Sequence, residues 1–455
     1  MGLQSEGIVG LLRRFFGLQD NPPVQHRPHM AVVPTLSGMR QEPLLAAVRR
    51  PERLVAPSRA FTPTQPRHGR RELVGRQPEL TRILQALQED CAHVVLYAER
   101  GRGKTSLTNM VVETLRQSDV VVARHTCDAD SNFDSILRGL MRDLPSSLLA
   151  VPEGRAENGA DSEGCEPALP SRELRPGDVV SLPSRLLCRS LVCVIDEFDR
   201  VLAPATRTRI ADAIKQLSDR DVDLRFLIVG VSENLDQILG QHPSIQRNVV
   251  GVHLPLFSDQ DVAALIAKGA RESGFTFMPS AVARIVVLAR GMPYMAQLLA
   301  LRLAQATAQR DATLVSDADF NTAVQGLLAD ANPRVLVLFS ELTVHGQDRD
   351  MLAALRHVAT AGQDAWGRLS VTPSVQGGVS IGGYLVSADC WARLQAANVL
   401  QPYGMCSGLY VFAERNLMHH VLLHAAAHEA PQIADQPEAS DALPPLALRS
   451  FASRT

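Results

Sequence analysis

Residues 93–107 read HVVLYAERGRGKTSL, an apolar run that turns through a glycine-rich loop into Gly103, Lys104 and Thr105. The spacing follows the phosphate-binding pattern G-x-x-x-x-G-K-[ST], with Ala98 at the first glycine position. In that pattern, glycines let backbone N–H groups surround a phosphate, the lysine reaches the β- and γ-phosphates, and the hydroxyl holds Mg²⁺. The methyl group of Ala98 is compatible with such a loop if its φ is negative.

The sequence on either side of this loop supports the same interpretation. Val94–Leu96 is typical of a buried strand, and apolar residues recur at helical spacing after Thr105. A loop between a strand and a helix N-terminus is the setting in which backbone N–H groups bind phosphate. We therefore predict that ATP is bound by the loop residues, which are Ala98, Glu99, Arg100, Gly101, Arg102, Gly103, Lys104, Thr105 and Ser106.

A second stretch, Leu191–Arg200, reads LVCVIDEFDR and predicts a buried strand that ends in two acids. Ligands of open α/β sheets bind at the carboxyl ends of the strands. Asp196 is predicted to hold Mg²⁺ through water, alongside the Thr105 hydroxyl, and Glu197 to orient or deprotonate an attacking water. Such an acidic pair is usually a loop or a helix cap, but its position downstream of a phosphate-binding loop favours the catalytic role.

Polar residues after two further strands complete the set of catalytic candidates. Leu224–Val231 predicts a buried strand followed by Ser232 and Asn234, and either side chain is a candidate to contact the γ-phosphate or the lytic water. Arg247 precedes the predicted strand Val249–Leu254. It is a candidate arginine finger for a neighbouring subunit or an ordinary surface or strand-capping residue, and the sequence leaves both interpretations open.

Together with the upstream stretch Val74, Gly75 and Arg76, these two motifs resemble AAA+-type P-loop ATPases. The resemblance is to the branch that includes the STAND regulators and the origin-initiator-like ATPases, and it covers roughly residues 72–310. It implies that Val74, Gly75 and Arg76 border the adenine pocket.

Residues 291–294 carry a second part of the resemblance. The Gly-x-Pro signature of STAND lids implies that Pro293 lies near the base. Origin initiators carry a sensor 2 arginine near this point, and the sequence Gly-Met-Pro-Tyr offers none, which favours the STAND-like branch. The D-E-F-D-R and H-P-S-I-Q-R stretches also resemble bacterial transposition-accessory ATPases.

The predicted fold class is α/β, with a P-loop parallel sheet and a helical lid, followed by a C-terminal winged-helix-like α+β domain. The last domain is predicted from helices near 316–329, 333–343, 348–360 and 387–398, followed by a β-hairpin. The predicted limits are a disordered Pro/Arg-rich region at 1–70, the nucleotide-binding domain at 72–257 with an exposed insertion at 151–177, the lid at 258–312, the winged-helix-like domain at 316–428 and a flexible tail at 429–455.

Composition limits the partners and the compartment. The chain has 46 basic and 48 acidic residues, and its net charge of −2 gives no global attraction to nucleic acid or anionic membrane. Seven cysteines without a C-x-x-C pair predict reduced thiols in a cytoplasmic protein, and no apolar run is long enough to span a bilayer. Residues 4–18 form either an amphipathic helix that docks on a partner or membrane surface, or a weakly ordered terminus.

Two polar clusters have weaker claims to function. His419, His420, His424 and His428 lie at helical spacing, and a solvated, mildly basic helix end is favoured over a metal site. Asp128, Asp130 and Asp134 fit a loop and a helix N-cap as well as a carboxylate site.

The predicted function is a regulatory ATPase whose Mg²⁺–ATP state controls conformation or assembly. A non-hydrolysing scaffold, in which ATP is a structural ligand, is the main alternative. DNA binding through the C-terminal domain, in transposition, replication or defence, rests mainly on fold analogy. Predicted partners are ATP, a protein partner or further copies of the chain, and DNA.

Overall fold

The computed structural model describes residues 55–63, 74–150, 164–220, 222–232, 238, 245, 247–344, 346–375, 377–404 and 408–428. The predicted helix at residues 4–18, the tail from residue 429 and the candidate Asn234 lie outside the described residues.

The N-terminal part of the fold is built on a parallel sheet of five strands. The strands are β1 His93–Tyr97, β2 Val121–Thr126, β3 Leu191–Asp196, β4 Leu224–Gly230 and β5 Val249–His253. They lie in the order β2-β3-β4-β1-β5. β3 and β4 are buried along their whole length, as expected of parallel strands that are covered on both faces. The predicted P-loop parallel sheet is therefore confirmed.

Helices connect these strands and supply the apolar faces that bury them. The short helix α1 Pro57–Ala60 comes first in the chain, and its Ala60 packs instead in the core of the helices that follow the sheet. The helices around the sheet are α2 Gln77–Gln88, α3 Lys104–Gln117, α4 Phe133–Arg142, α5 Pro176–Val180 and α6 Pro204–Asp219. α2 buries Leu80, Ile83, Leu84 and Leu87, the residues whose spacing predicts it. α4 begins at Asn132, which forms a reciprocal capping pair with Ser135.

Three helices follow the sheet, as the sequence predicts. They are α7 Asp259–Ser273, α8 Pro279–Ala289 and α9 Pro293–Ala308. A capping box between Ser258 and Asp261 begins α7, and Gly274, with φ of +75°, ends it. Prolines begin α8 and α9, where the missing N–H costs no helical hydrogen bond. Short strands β6 Thr276–Phe277 and β7 Leu314–Val315 pair beside these helices.

The C-terminal part combines helices with an antiparallel sheet, a combination compatible with a winged-helix-like domain. Its strands β8 Leu369–Pro373, β9 Val379–Ile381, β10 Tyr384–Val386, β11 Leu400–Pro402 and β12 Leu409–Phe412 lie in the order β10-β9-β8-β12-β11. The helices are α10 Ala318–Ala329, α11 Pro333–Leu342, α12 Arg349–Thr360, α13 Ala388–Ala396 and α14 Arg415–His428. Sequence reasoning missed β8–β10, because these strands are short and separated by glycines.

One continuous hydrophobic core joins the three helices α7–α9 to this C-terminal part. It includes Leu299 of α9, Phe320 of α10, Leu355 of α12 and Met418 of α14, each completely buried. A second core lies beneath the sheet, around Phe133, Ile195 and Phe226. The prediction of disorder over residues 1–70 is wrong at residues 55–63, where Pro57–Ala60 is helical and Phe61 is buried in the first of these cores, because the chain packs there against α7 and α9. The other domain limits derived from the sequence remain a prediction.

The prediction of an exposed insertion is wrong for residues 164–177. Cys165 and Leu174 are completely buried, and both belong to the core beneath the sheet. The Cys165 thiol donates a hydrogen bond to the carbonyl of Pro145 at 3.1 Å. This segment is irregular in backbone but supplies apolar side chains to the domain, because turns separate them at spacings that match no helix or strand.

The prediction of a solvated histidine-rich helix end is also wrong in part. His419 and His420 are 4% and 6% exposed, and the ring of His420 packs edge-on against Phe339. Burial lowers the pKa of His419 and of His424 to about 4, so these rings are neutral near pH 7. α14 is therefore a core helix that buries histidine on the face turned to α11.

Candidate nucleotide-binding site

The loop after β1 has the backbone that a phosphate-binding loop requires. Ala98 is buried and is not among the residues with positive φ, so its methyl group is accommodated as predicted. Gly101 and Gly103 have φ of +78° and +90°, a region that disfavours side chains. A Cβ added to Gly103 would meet no atom within 4 Å, so the space beside the loop suits a phosphate group.

Lys104 is the first residue of α3, and Gly103 caps that helix. Its Nζ donates hydrogen bonds to the carbonyls of Ala98 at 2.7 Å and of Glu99 at 2.9 Å. Burial lowers the pKa of Lys104 to about 8, against the opposing influence of Asp199 and Asp196. An ammonium, the N–H groups of a first helical turn and a threonine hydroxyl are the kinds of group that bind a metal–nucleotide phosphate, and Lys104 and Thr105 place all three at this turn.

Asp196 ends β3 and is 5% exposed. Its Oδ1 accepts the backbone N–H of Glu197 at 2.9 Å, and its Oδ2 accepts a hydrogen bond from Arg124 at 2.6 Å. Carboxylate oxygen is the ligand type that Mg²⁺ prefers. β1 and β3 both pair in parallel with β4, so Asp196 and the P-loop that follows β1 lie at the same edge of the sheet.

Glu197 and its neighbour Asp199 differ in environment. Glu197 has φ of +52°, its side chain is 51% exposed, and it pairs with Arg200 at 2.9 Å. Asp199 accepts the backbone N–H of Val231 at 2.8 Å, so it ties the loop after β3 to the end of β4. Sequence reasoning assigned no role to Asp199, although it is the second aspartate of the D-E-F-D stretch.

The two other described catalytic candidates, Ser232 and Arg247, differ in burial. Ser232 is buried directly after β4, whose carboxyl end lies beside that of β1. Arg247 is exposed and precedes β5. Ser232 is thus buried near the carboxyl end of the sheet, whereas the Arg247 side chain is exposed.

Arg76, which is predicted to border adenine, donates a hydrogen bond to the P-loop backbone. It is 3% exposed, and its Nη2 donates to the carbonyls of Arg102 at 3.2 Å and of Pro255 at 2.8 Å. Its guanidinium lies 4.4 Å from the ring centre of Phe257. Val74 and Gly75 are half-buried, and a Cβ on Gly75 would come within 2.7 Å of the Asp261 carboxyl group.

The residues around Pro293 lie against the P-loop. Pro293 is buried at the start of α9. A Cβ added to Gly101 would be 3.1 Å from Met292 and 3.4 Å from Tyr294, so the loop packs directly on the segment that flanks Pro293. The structure thus brings together the P-loop, Arg76 and the start of α9.

A polar cluster connects the P-loop to the C-terminal part of the chain. Arg102 is 1% exposed, and its guanidinium donates to the carbonyls of Leu254 at 3.0 Å and of Trp366 at 2.7 Å. It also pairs with Glu99 at 3.3 Å. Glu99 accepts a second charged hydrogen bond from Arg415 of α14, at 2.8 Å. We call Glu99, Arg102 and Arg415 the P-loop clamp.

An aromatic contact lies beside this clamp. The ring centroids of His253 and Trp366 are 4.2 Å apart, and the Tyr97 ring packs edge-on against His253 at a centroid distance of 5.1 Å. Burial, with nearby Arg102, lowers the pKa of His253 to about 3, so the ring is neutral and packs as an aromatic side chain. No sequence pattern indicated the clamp or this contact, since each joins residues far apart in the chain.

Comparison with known proteins identifies part of the chain. Residues 72–229 match the family model of the AAA ATPase domain, named AAA_16. No curated protein sequence matches the chain. No helix in the described part of the chain has both the length and the apolar character needed to cross a membrane.

Several solved structures are similar to this chain at low identity. The Thermotoga maritima RuvB Holliday junction branch migration motor is 17% identical over 76% of this chain and 94% of that chain, with a TM-score of 0.38. The Aeropyrum pernix ORC2 protein is 14% identical over 81% and 98%, with a TM-score of 0.45. Cdc6p from Pyrobaculum aerophilum is 13% identical over 83% and 99%, with a TM-score of 0.43.

Proposed function

Because residues 72–229 of this chain are an AAA ATPase domain, we propose that the protein is a regulatory ATPase whose Mg²⁺–ATP state controls its conformation or assembly. The observation that carries the proposal is Lys104. It is half-buried at the start of α3, and Asp199 and Asp196 lie near enough to favour its charged form. Bound Mg²⁺–ATP would supply the γ-phosphoryl group whose transfer to water the site promotes.

The proposed roles of the side chains rest on the sequence motifs and, for the described residues, on their positions. Lys104 and the N–H groups of the first turn bind the phosphates, and Thr105 and Asp196 hold the metal ion. Glu197 orients or deprotonates the water, and Ser232 or Asn234 contacts the γ-phosphate. Val74, Gly75, Arg76 and Pro293 border the base, and the remaining P-loop residues enclose the phosphates.

Equilibrium dialysis with ATP and a phosphate-release assay test these roles. We expect Lys104→Ala to lower ATP affinity by roughly 100-fold or more, since it removes a charge-assisted contact to phosphate. Glu197→Gln should keep ATP affinity and lower the turnover rate by about 100-fold, because it removes a proton acceptor. Lys215→Ala, at an exposed lysine of α6, serves as the control. Equal retention of ATP by wild type and Lys104→Ala would refute the proposal.

A second candidate is a switch that binds ATP without hydrolysing it. The observation in its favour is Glu197, whose exposed side chain pairs with Arg200. In this ion pair the carboxylate is already engaged by a cation and exposed to solvent, so it is not held in place to orient a bound water. Tight ATP binding combined with phosphate release at the level of Glu197→Gln would decide for this switch.

The C-terminal part is proposed to engage a protein partner or another copy of the chain, with DNA as the alternative. Residues 369–388, which contain β8–β10, include no charged side chain. Arg393 of α13 is engaged by Asp348 at 2.7 Å. DNA affinity depends mainly on cations near phosphate, so this surface favours protein. A salt-dependent mobility shift of the full chain on duplex DNA would instead favour DNA.

The compartment is proposed to be the cytoplasm. The described cysteines are all free, at positions 91, 127, 165, 188, 193 and 390. Free thiols suit a reducing compartment.

A further inference from the structure

Arg124 forms an ion pair with Asp196, the carboxylate that is proposed to hold Mg²⁺. It lies on β2, where its partner in the parallel register is Val194 of β3, two residues before Asp196. Alternate residues of a strand point to one face, so the side chains of Arg124 and Asp196 meet on the same side of the sheet. The Nη2 of Arg124 donates to the Oδ2 of Asp196 at 2.6 Å.

The other arm of the same guanidinium reaches the P-loop helix. Its Nη1 donates to the Oδ1 of Asn109 at 2.7 Å. Asn109 is one helical turn after Thr105, the proposed hydroxyl ligand of the metal. Arg124 therefore bridges the helix that carries Thr105 and the strand that carries Asp196.

Both oxygens of Asp196 are engaged in this arrangement. Oδ1 accepts the Glu197 N–H, and Oδ2 accepts Arg124. The exposed fractions of the two charged side chains are 28% for Arg124 and 7% for Asp196. A metal ion that approaches Asp196 therefore meets a fixed positive charge on the same carboxylate, which opposes its binding.

We propose that Arg124 is a positioning residue that sets the Mg²⁺ affinity of the nucleotide site by competing for the carboxylate of Asp196. This inference rests on the proposed function, because it assumes that the site binds Mg²⁺–ATP. A single positive charge at about 6 Å from a divalent ion, in water-like surroundings, weakens binding of the ion by about tenfold. A change at Arg124 would therefore alter the Mg²⁺ concentration that nucleotide binding requires, while Thr105 and Asp196 would still be present to hold the ion.

The test is a Mg²⁺ titration of the full chain with a fluorescent ATP analogue, read as bound nucleotide rather than turnover. We expect Arg124→Gln to reach half-saturation at a Mg²⁺ concentration about tenfold lower than wild type. Arg124→Met, which is neutral and lacks hydrogen-bonding groups, should give the same shift. Arg124→Lys keeps the charge and should stay near the wild-type concentration.

Arg138→Gln is the matched control, because Arg138 also pairs with acids of the same domain, Asp134 and Glu166. It should leave the Mg²⁺ curve unchanged. Far-UV circular dichroism of each variant establishes that it is folded. If Arg124→Gln and Arg124→Met fold and need as much Mg²⁺ as wild type, or more, the competition is refuted while the proposed function stands. If wild type retains no nucleotide at any Mg²⁺ concentration, both are refuted.

Discussion

Lys104 shows how burial prepares a single side chain for its ligand. Desolvation lowers its pKa to about 8, although a phosphate-binding lysine acts as a cation. Bound phosphate favours the charged form, so ATP binding should raise this pKa. We predict net proton uptake on ATP binding just above pH 8, and an affinity that falls as the pH rises through that value. Calorimetric titrations in two buffers of different ionisation enthalpy measure the uptake.

A control variant and the pH dependence of the free energy of unfolding test the lowered pKa of Lys104. Lys215→Ala should leave the proton uptake unchanged, because Lys215 is exposed. In the protein without nucleotide, the folded-state pKa of Lys104 lies below the ordinary lysine value of 10.5, so the unfolded chain binds more protons between about pH 8 and 10.5. The contribution of Lys104 to the free energy of unfolding therefore increases as the pH rises through that window. ATP binding without proton uptake would contradict the lowered pKa.

Two arginines flank Gly101 in the P-loop, and they differ in burial. Arg102 is buried and bonds to the carbonyls of Leu254 and Trp366, whereas Arg100 is exposed. Loss of Arg102 leaves buried carbonyls without donors and removes one partner of Glu99. We predict that Arg102→Ala lowers the free energy of unfolding by about 2–4 kcal/mol, measured by urea denaturation without nucleotide.

Arg100→Ala is the natural comparison, since it removes the same side chain from the same loop. It should change the free energy of unfolding by no more than about 0.5 kcal/mol, as is usual for an exposed residue. Equal destabilisation by the two variants would mean that the loop depends on arginine generally and that the clamp contributes nothing.

At the scale of the whole molecule, an arginine on the surface is a candidate to stabilise the transition state in a neighbouring copy of the protein. Arg247 is exposed, so if it is an arginine finger, it serves the γ-phosphate of a neighbouring copy. We predict that ATPase activity per molecule rises with protein concentration, and that Arg247→Ala lowers turnover by roughly 1,000-fold with ATP affinity retained. Phosphate release across a dilution series measures both effects.

The control for this prediction is Arg116→Ala, at an exposed arginine of α3. It should keep both the turnover rate and its dependence on concentration. A specific activity that is constant over a wide dilution range, with an unaltered rate for Arg247→Ala, would show a monomeric ATPase in which Arg247 is an ordinary surface residue.

The sequence alone determined the parallel sheet, the P-loop and most helices. These features depend on local spacing, because the strand His93–Tyr97, the helix from Lys104 and the acidic end of Leu191–Asp196 each leave a periodic or motif pattern in a few residues. The start of α9 at Pro293 followed from the same local reasoning.

Tertiary structure alone decided which polar side chains meet. Arg124 reaches Asp196 across two strands, and Arg415 reaches Glu99 from 316 residues along the chain. It also decided that Cys165 and His419 are buried. Such contacts depend on how elements that are distant in sequence pack together. The sequence around a charged residue in a strand or at a helix start is the same whether its side chain points to solvent or pairs with an acidic side chain. For that reason motifs in the sequence could propose the residues that hold the metal ion, whereas the arginines that contact the acids could not be predicted.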